Sequence, residues 1–269
     1  ESRGEVGRHF RRSTRRARQG ELCVTCLRGR QPVVIRDRSA VLTGSTNFTT
    51  TGVTKNLNHL AIIEDPVVAA EYAREFAQMR KGIFGKRSLV TARTPLEDHF
   101  VGGVRIKPLF APDHMPEMEF IKQMIKTSQR IDFAVFTFSQ SSGIDDALVN
   151  ARQKGVAVQG VLDRRQSNQS WAAKATLQAG GVTLHRNKTG TGVRKIHHKL
   201  MVLDDALTII GSFNYTGPAN LVNDENIVVL GDLDAEDTAA TDAQKVLALY
   251  ARAEIDRIIA DQAEPIPMV

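Results

Sequence analysis

Two stretches of this 269-residue chain align at one constant offset of 167 residues, and that register limits the folds open to it. "DRSAVLTGSTNFTTTGVTKN" starts at Asp37 and "DDALTIIGSFNYTGPANLVN" at Asp204. Asp37 then pairs with Asp204, Gly44 with Gly211, Ser45 with Ser212, Asn47 with Asn214, Thr49 with Thr216 and Asn56 with Asn223, while Phe48 meets Tyr215. Identities held at a fixed register argue for an internal duplication. The chain should therefore contain two copies of one unit.

The pattern around the second copy defines that unit. "MEFIKQMIKTSQ" has apolar residues at helical spacing and "IDFAVFTFS" reads as a buried strand. A helix "GIDDALVNARQKG", a strand "VAVQGVLD", a helix from Trp171 to Gly180 and a strand "VTLHR" follow. This β-α-β-α-β order predicts an α/β layered domain with largely parallel strands. A strand "NIVVL" and an amphipathic helix spanning roughly 236 to 261 complete it. In the first copy the matching strand is "HLAIIE", and the helix "PVVAAEYAREFAQMR" starts with Asp65 as cap and Pro66 in its first turn. The stretch "KGIFGKRSLVTARTPLEDHFVGG", rich in glycine and charge, reads as a linker. The expected organisation is an incomplete first copy with a basic N-terminal segment over 1–82, a linker over 83–103 and a full copy over 104–269. The second copy has the whole β-α-β-α-β run before its motif, and the first has only residues 1–36.

The motif itself reads His197-x-Lys199, then Asp204, then Gly211-Ser212-x-Asn214. On a strand His197 and Lys199 are two apart and share a face, with His198 opposite. Leu200 and Val202 then follow His198, and Met201 and Leu203 follow His197. A tight turn near Asp205 and a returning strand "ALTIIGS" bring Ser212 and Asn214 back beside His197, and Gly211 allows close approach to the backbone.

This spacing resembles the signature of the phospholipase D superfamily, the HKD motif, and the resemblance extends over the strands and helices before it and the "NDEN" after it. It implies an α/β fold of two such repeats, each a mixed, mostly parallel sheet flanked by helices, packed about a pseudo-twofold axis with the first incomplete. It also implies phosphodiester cleavage or transfer that needs neither a metal nor another cofactor. By resemblance His197 is the nucleophile that forms a phosphohistidine. Lys199 and Asn214 stabilise the charge developing on phosphorus, with Ser212 and Gly211 on the substrate side. Glu225 orients the histidine ring and sets its tautomer. Asp204 is an architectural member of the motif, Asp37 is its counterpart, and Ser45 and Asn47 form a second phosphate-side turn.

Members of this superfamily set two motifs face to face, one histidine attacking and the other protonating the leaving oxygen. Here Arg30 stands at the register of His197, Pro32 at that of Lys199 and Asn58 at that of Glu225. No lysine precedes Lys55 and the earlier histidine is His9, so the first copy keeps the turn without nucleophile or acid. Three readings stay open: a homodimer in which a second chain supplies the missing histidine, a phosphate clamp at Arg30, or an alteration of the chain around Arg30.

The reaction is thus more legible than the substrate. The formal net charge of +6 favours an anionic partner, although Arg3, Arg8, Arg11, Arg12, Arg15, Arg16 and Arg18 concentrate much of it in the first twenty residues. The loop "HRNKTGTGVRK" adds Arg186, Lys188, Arg194 and Lys195 directly before the motif, with Arg194 and Lys195 as candidate substrate contacts. These features favour nucleic acid, hence a nuclease, over a phospholipid substrate. A binding module without turnover is a third class, and the intact set in the second copy argues against it. Cys23 and Cys26 have no second pair downstream and read as small structural residues. No apolar run is long enough to span a membrane. A cytoplasmic location is favoured, with N-terminal processing left open.

Overall fold

The computed structural model of the chain describes residues 22–27, 31–91, 93–97 and 99–267. Arg30, His9 and the arginines from Arg3 to Arg18 lie outside the described residues. Strands β1 (Leu22–Leu27), β2 (Gln31–Arg36), β3 (Ala40–Gly44) and β5 (Leu60–Ile63) form a four-stranded antiparallel sheet in that order. Nine strands form a second sheet. From one edge to the other they are β15 (Ala263–Pro265), β10 (Thr183–Asn187), β9 (Ala157–Leu162), β8 (Arg130–Val135), β12 (Lys199–Leu203), β13 (Leu207–Gly211), β14 (Glu225–Leu230), β7 (Val104–Ala111) and β6 (Phe100–Val101). A short parallel ladder of β4 (Asn56–Leu57) and β11 (Lys195–Ile196) ties the front of the chain to its back.

The large sheet is mixed, as expected, but antiparallel pairs predominate in it. Parallel pairing is confined to β8 with β9 and β9 with β10. Those are the two steps whose connections carry helices, α4 (Ile144–Gln153) in the first and α5 (Arg164–Ser167) and α6 (Lys174–Ala179) in the second. A parallel step needs a crossover that returns the chain to the same end, whereas the three-residue turn between β12 and β13 can only reverse it. The helix expected from Trp171 starts later, at Lys174, because Ala172 pairs with Ser139 in an isolated bridge. The segment expected as a linker packs closely. It contains a 3₁₀ turn, Gly85–Thr91, whose Gly85 N–H donates to Asp224 Oδ1 at 2.6 Å, and Phe84 and Leu96 lie against the core.

Side-chain alternation along β12 distributes that strand between two cores. Met201 and Leu203 join Phe133, Val135, Leu148, Leu177, Ile209 and Val229 under helices α3 (Pro116–Lys126), α4 and α6. Leu200 and Val202 face the other way and join Val33, Ile35 and Val41 of the small sheet, Val68 and Tyr72 of helix α2 (Pro66–Arg80), and Ala248 and Ile255 of helix α8 (Thr238–Arg257). One apolar cluster therefore contains residues of both sheets, and its burial fixes one sheet against the other.

The 167-residue register recurs in backbone geometry. Asp37 and Arg38 have φ of 50° and 55°, and Asp204 and Asp205 have 51° and 53°, so both motif turns use the left-handed conformation that joins tightly paired strands. Ser45 N–H donates to His59 O at 3.0 Å and Ser212 N–H to Asn226 O at 2.9 Å. Thr49 caps helix α1 (Thr50–Thr54) through Gly52 N, and Thr216 caps helix α7 (Gly217–Leu221) through Ala219 N. Asp204 does more than turn the chain. Its carboxylate accepts the backbone N–H groups of Ser128 at 2.7 Å and of Gln129 and Arg130 at 2.8 Å, which pins the start of β8 to the end of β12. Asp37, its counterpart, is exposed.

Candidate active site

The site forms where the β4–β11 ladder delivers His197 to the front of β12. Arg194 N–H donates to Lys55 O at 2.7 Å and His197 N–H to Leu57 O at 2.8 Å, so the basic end of the glycine-rich loop is laced to residues 55–57. His197 is 4% exposed and Lys199 1%. Lys199 Nζ lies 3.3 Å from both ring nitrogens of His197 and donates to the His197 carbonyl at 3.1 Å. The ring of Phe136 tilts against the His197 ring at 4.8 Å, and Lys195 Nζ stands 4.8 Å over the same phenyl ring. Lys195 is half-buried and Arg194 is exposed at the rim.

Hydrogen bonding sets the tautomer of His197. Its Nδ1 lies 2.9 Å from Ser45 O and 2.9 Å from Asn58 Oδ1. Asn58 Nδ2 is committed to Gly52 O at 2.8 Å, so the amide oxygen must be the atom that faces the ring. Both neighbours are acceptors, hence Nδ1 carries the proton and Nε2 keeps its lone pair. Burial, and then the Lys199 charge, hold the His197 pKa far below the ordinary imidazole value, at about 3. The ring is neutral throughout the physiological range.

Glu225 occupies another place than the resemblance led one to expect. Its Oε2 accepts from Ser212 Oγ at 2.6 Å and its Oε1 from Asn223 Nδ2 at 3.3 Å, while the atoms that hold His197 come from the first copy. The physical reason is that the two sheets face each other, so the turn nearest His197 is the Ser45 turn from the opposite sheet. Burial pushes the Glu225 carboxyl up, against the Ser212 hydrogen bond and the Lys199 charge. Burial likewise pushes the Lys199 ammonium down, against the Glu225 charge. Asn47 and Asn214, at equivalent positions, each keep Oδ1 buried without a hydrogen-bond partner. Gly211 and Ser212 are buried at the end of β13, with Gly211 N–H donating to His59 Nε2 at 3.1 Å.

His59 was outside every motif, and it continues inward from the site. With Nε2 accepting from Gly211, a neutral His59 carries its proton on Nδ1, which lies 3.2 Å from His198 Nδ1. His198 then presents Nε2–H to Glu254 Oε1 on α8 at 3.5 Å. The two rings stack at 5.4 Å, and burial lowers both pKa values, so His198 serves as a hydrogen-bonded packing neighbour. The signal for His59 was available only in the duplication, which aligns it with Asn226. That residue reaches the opposite way and accepts from Thr43 Oγ1 at 2.7 Å and Tyr72 OH at 3.1 Å.

The family model described as cardiolipin synthase, phospholipase D-like domain, matches residues 24–80 and 120–247, well over half of the sequence. The chain belongs to the phospholipase D superfamily. Among curated relatives, a mitochondrial cardiolipin hydrolase of Chlamydomonas reinhardtii is 29% identical over 113 residues, covering 42% of this chain and 49% of that protein. A phospholipase D of Rickettsia bellii is 31% identical over 124 residues, covering 45% of this chain and 58% of that protein. The chain thus spans about half the length of the curated relatives it matches. The fold also resembles the crystal structure of phosphatidylserine synthase from Haemophilus influenzae, with a TM-score of 0.62 at 11% identity, over 88% of this chain and 63% of that one.

In this superfamily member the paired titration of Lys199 and Glu225 leads to a pH prediction. Each is shifted to about 7, the lysine downward and the glutamate upward, so the pair holds two protons below neutrality and loses the first as pH rises through it. Whichever group gives up that proton, the site loses an ammonium or an acid. For a reaction at this site that used either proton, kcat/KM would fall about tenfold per pH unit above neutrality. A profile flat to pH 9 would show that neither proton is used.

Proposed function

We propose that this chain is a phosphodiesterase in which His197 attacks phosphorus, and that its substrate is a nucleic-acid backbone. The observation that supports this best is the fixed Nδ1–H tautomer, which leaves the Nε2 lone pair directed away from its anchors and beside a buried cation. In the first step Nε2 forms a bond to phosphorus and the phosphorus–oxygen bond to the leaving group breaks. The leaving oxygen takes a proton from a second acid, for which the described residues offer Glu225. Water then attacks the phosphohistidine and gives a proton to the Glu225 carboxylate, the nitrogen–phosphorus bond breaks, and a phosphomonoester leaves with neutral His197 and protonated Glu225 restored. Lys199 neutralises the charge that develops on the phosphoryl oxygens, which is worth most in a water-poor site. Its Nζ must leave the His197 ring for the phosphate when substrate arrives.

Nucleic acid is favoured by Arg194 and Lys195, a cationic rim fixed to the first copy by the Arg194 N–H bond to Lys55 O and by the pairing of Lys195 with Asn56. A lipid phosphodiester is the second reading, supported by the names phospholipase D and cardiolipin hydrolase among the relatives. The deciding experiment presents single-stranded DNA, duplex DNA, RNA and cardiolipin vesicles to the protein in EDTA. Cleavage of a nucleic acid that weakens several-fold in KM for an Arg194→Ala, Lys195→Ala variant is the expected result. Cleavage of cardiolipin alone would select the lipid reading, and loss of all cleavage in EDTA would overturn the phosphohistidine route.

A further inference from the structure

Asn58 stands where the second copy has Glu225, and the local geometry of the two positions matches. Ser45 Oγ donates to Asn58 Oδ1 at 3.2 Å, and Ser212 Oγ to Glu225 Oε2 at 2.6 Å. His59 N–H donates to Ser45 Oγ at 3.0 Å, and Asn226 N–H to Ser212 Oγ at 2.9 Å. The same serine bracket therefore carries an amide on one side of the site and a carboxyl on the other. The amide is the one that holds the catalytic ring.

We propose that Asn58 is the positioning residue of His197, and that its amide fixes the Nδ1–H tautomer of the nucleophile while withholding the negative charge that a carboxylate at this position would lend. The proposal rests on the reading of His197 as nucleophile. Three features carry it: the 2.9 Å contact from Nδ1, the anchoring of Asn58 Nδ2 on Gly52 O at 2.8 Å with Asn56 O at 3.4 Å, and the second acceptor Ser45 O at 2.9 Å. With both of its ends bonded the amide cannot rotate without giving up a bond, so the oxygen stays on the ring. The charged and titratable groups acting on His197 are Lys199 on β12, Lys195 on β11 and the adjacent His198. Neither lysine can supply a negative charge, and the anchors Asn58 and Ser45 O are uncharged. An amide in this place keeps the imidazole basic lone pair free at low pH, and leaves the cationic phosphohistidine without an adjacent anion, which favours its collapse with water.

The test is a nitrogen-15 NMR titration of the histidine side chains in the full chain, with the His197 signals assigned by their loss in His197→Ala. In the parent protein His197 should show a protonated Nδ1 and a bare Nε2 from pH 5 to 8. Asn58→Asp should raise the His197 pKa by at least one unit, with the acid limb of kcat/KM moving up in step. Asn58→Ala should give a mixture of tautomers and a kcat lower by about 10- to 100-fold at little changed KM, the size typical of an orienting partner. Circular dichroism and melting of each variant separate misfolding from mispositioning. An unshifted pKa in Asn58→Asp together with an unchanged tautomer in Asn58→Ala would overturn the proposal. The NMR readout needs no substrate, so a failure to find turnover would count against the phosphodiesterase reading and leave the Asn58 result to stand or fall by itself.

Discussion

His197→Ala is expected to lower turnover by at least about 10³-fold while changing substrate affinity only a few-fold, because on the proposed route the nucleophile disappears and the cations that would bind phosphate remain. That loss corresponds to about 4 kcal/mol of barrier. The substitution removes a ring held between Ser45 O, Asn58 Oδ1, Phe136 and Lys199, so some stability is lost as well. Thermal melting should be recorded beside the kinetics. Protein incubated with phosphorus-labelled substrate and quenched in an alkaline denaturant, where a phosphorus–nitrogen bond survives, should retain label in the parent chain and none in the variant. Unchanged turnover in a folded variant would refute the site assignment, and label on another residue would move it.

The second large effect is structural. An added Cβ at Gly211 would stand 2.2 Å from Asn226 O and 2.8 Å from Ile227 Cα, and the residue has φ of +151°. Both obstacles are backbone atoms of β14, which is paired on its other side with β7 and cannot withdraw. Gly211→Ala should therefore cost at least about 3 kcal/mol, from strain together with the Ser212–Asn226 and Gly211–His59 hydrogen bonds it displaces. In a chain of this size that is a fall of roughly 10 °C in Tm. Gly190 provides the comparison: it also has positive φ, +82°, but nothing lies within 4 Å of its missing Cβ. Gly190→Ala should cost only about 1 kcal/mol. Equal shifts in the two variants would mean that dihedral strain alone, without the clash, sets the effect at Gly211.

Much of this site was legible because its signals are local. The spacing of His197, Lys199, Asp204, Gly211, Ser212 and Asn214 states which residues share a strand face and where the chain reverses, since side chains alternate along a strand and left-handed turn residues are few. The same alternation placed Leu200 and Val202 on one side of β12 and Met201 and Leu203 on the other, and the two cores divide along that line. Helix α2 begins at Pro66 with Asp65 as cap because capping chemistry depends only on the four adjacent residues Asp65 to Val68. The sequence order of strands and helices suggested a parallel majority, and the pairing overturned it, because strand partners depend on how connections cross the sheet.

The orienting partner of His197 was out of reach for a different reason. In the motif Glu225 is the obvious acid, 28 positions along the chain, yet Nδ1 is held by Asn58 and Ser45, 139 and 152 residues away. Nothing in local spacing encodes a contact across two facing sheets. By itself the sequence determined the 167-residue register, the two Gly-Ser-x-Asn turns and the placing of His197 beside Lys199, since each follows from periodicity, turn chemistry or a short fixed pattern. Only the tertiary structure decided which copy's turn closes over which histidine, because that choice is made by the shared apolar core of Val33, Ile35 and Val41 against Leu200 and Val202, and packing free energy is a property of the assembled layers.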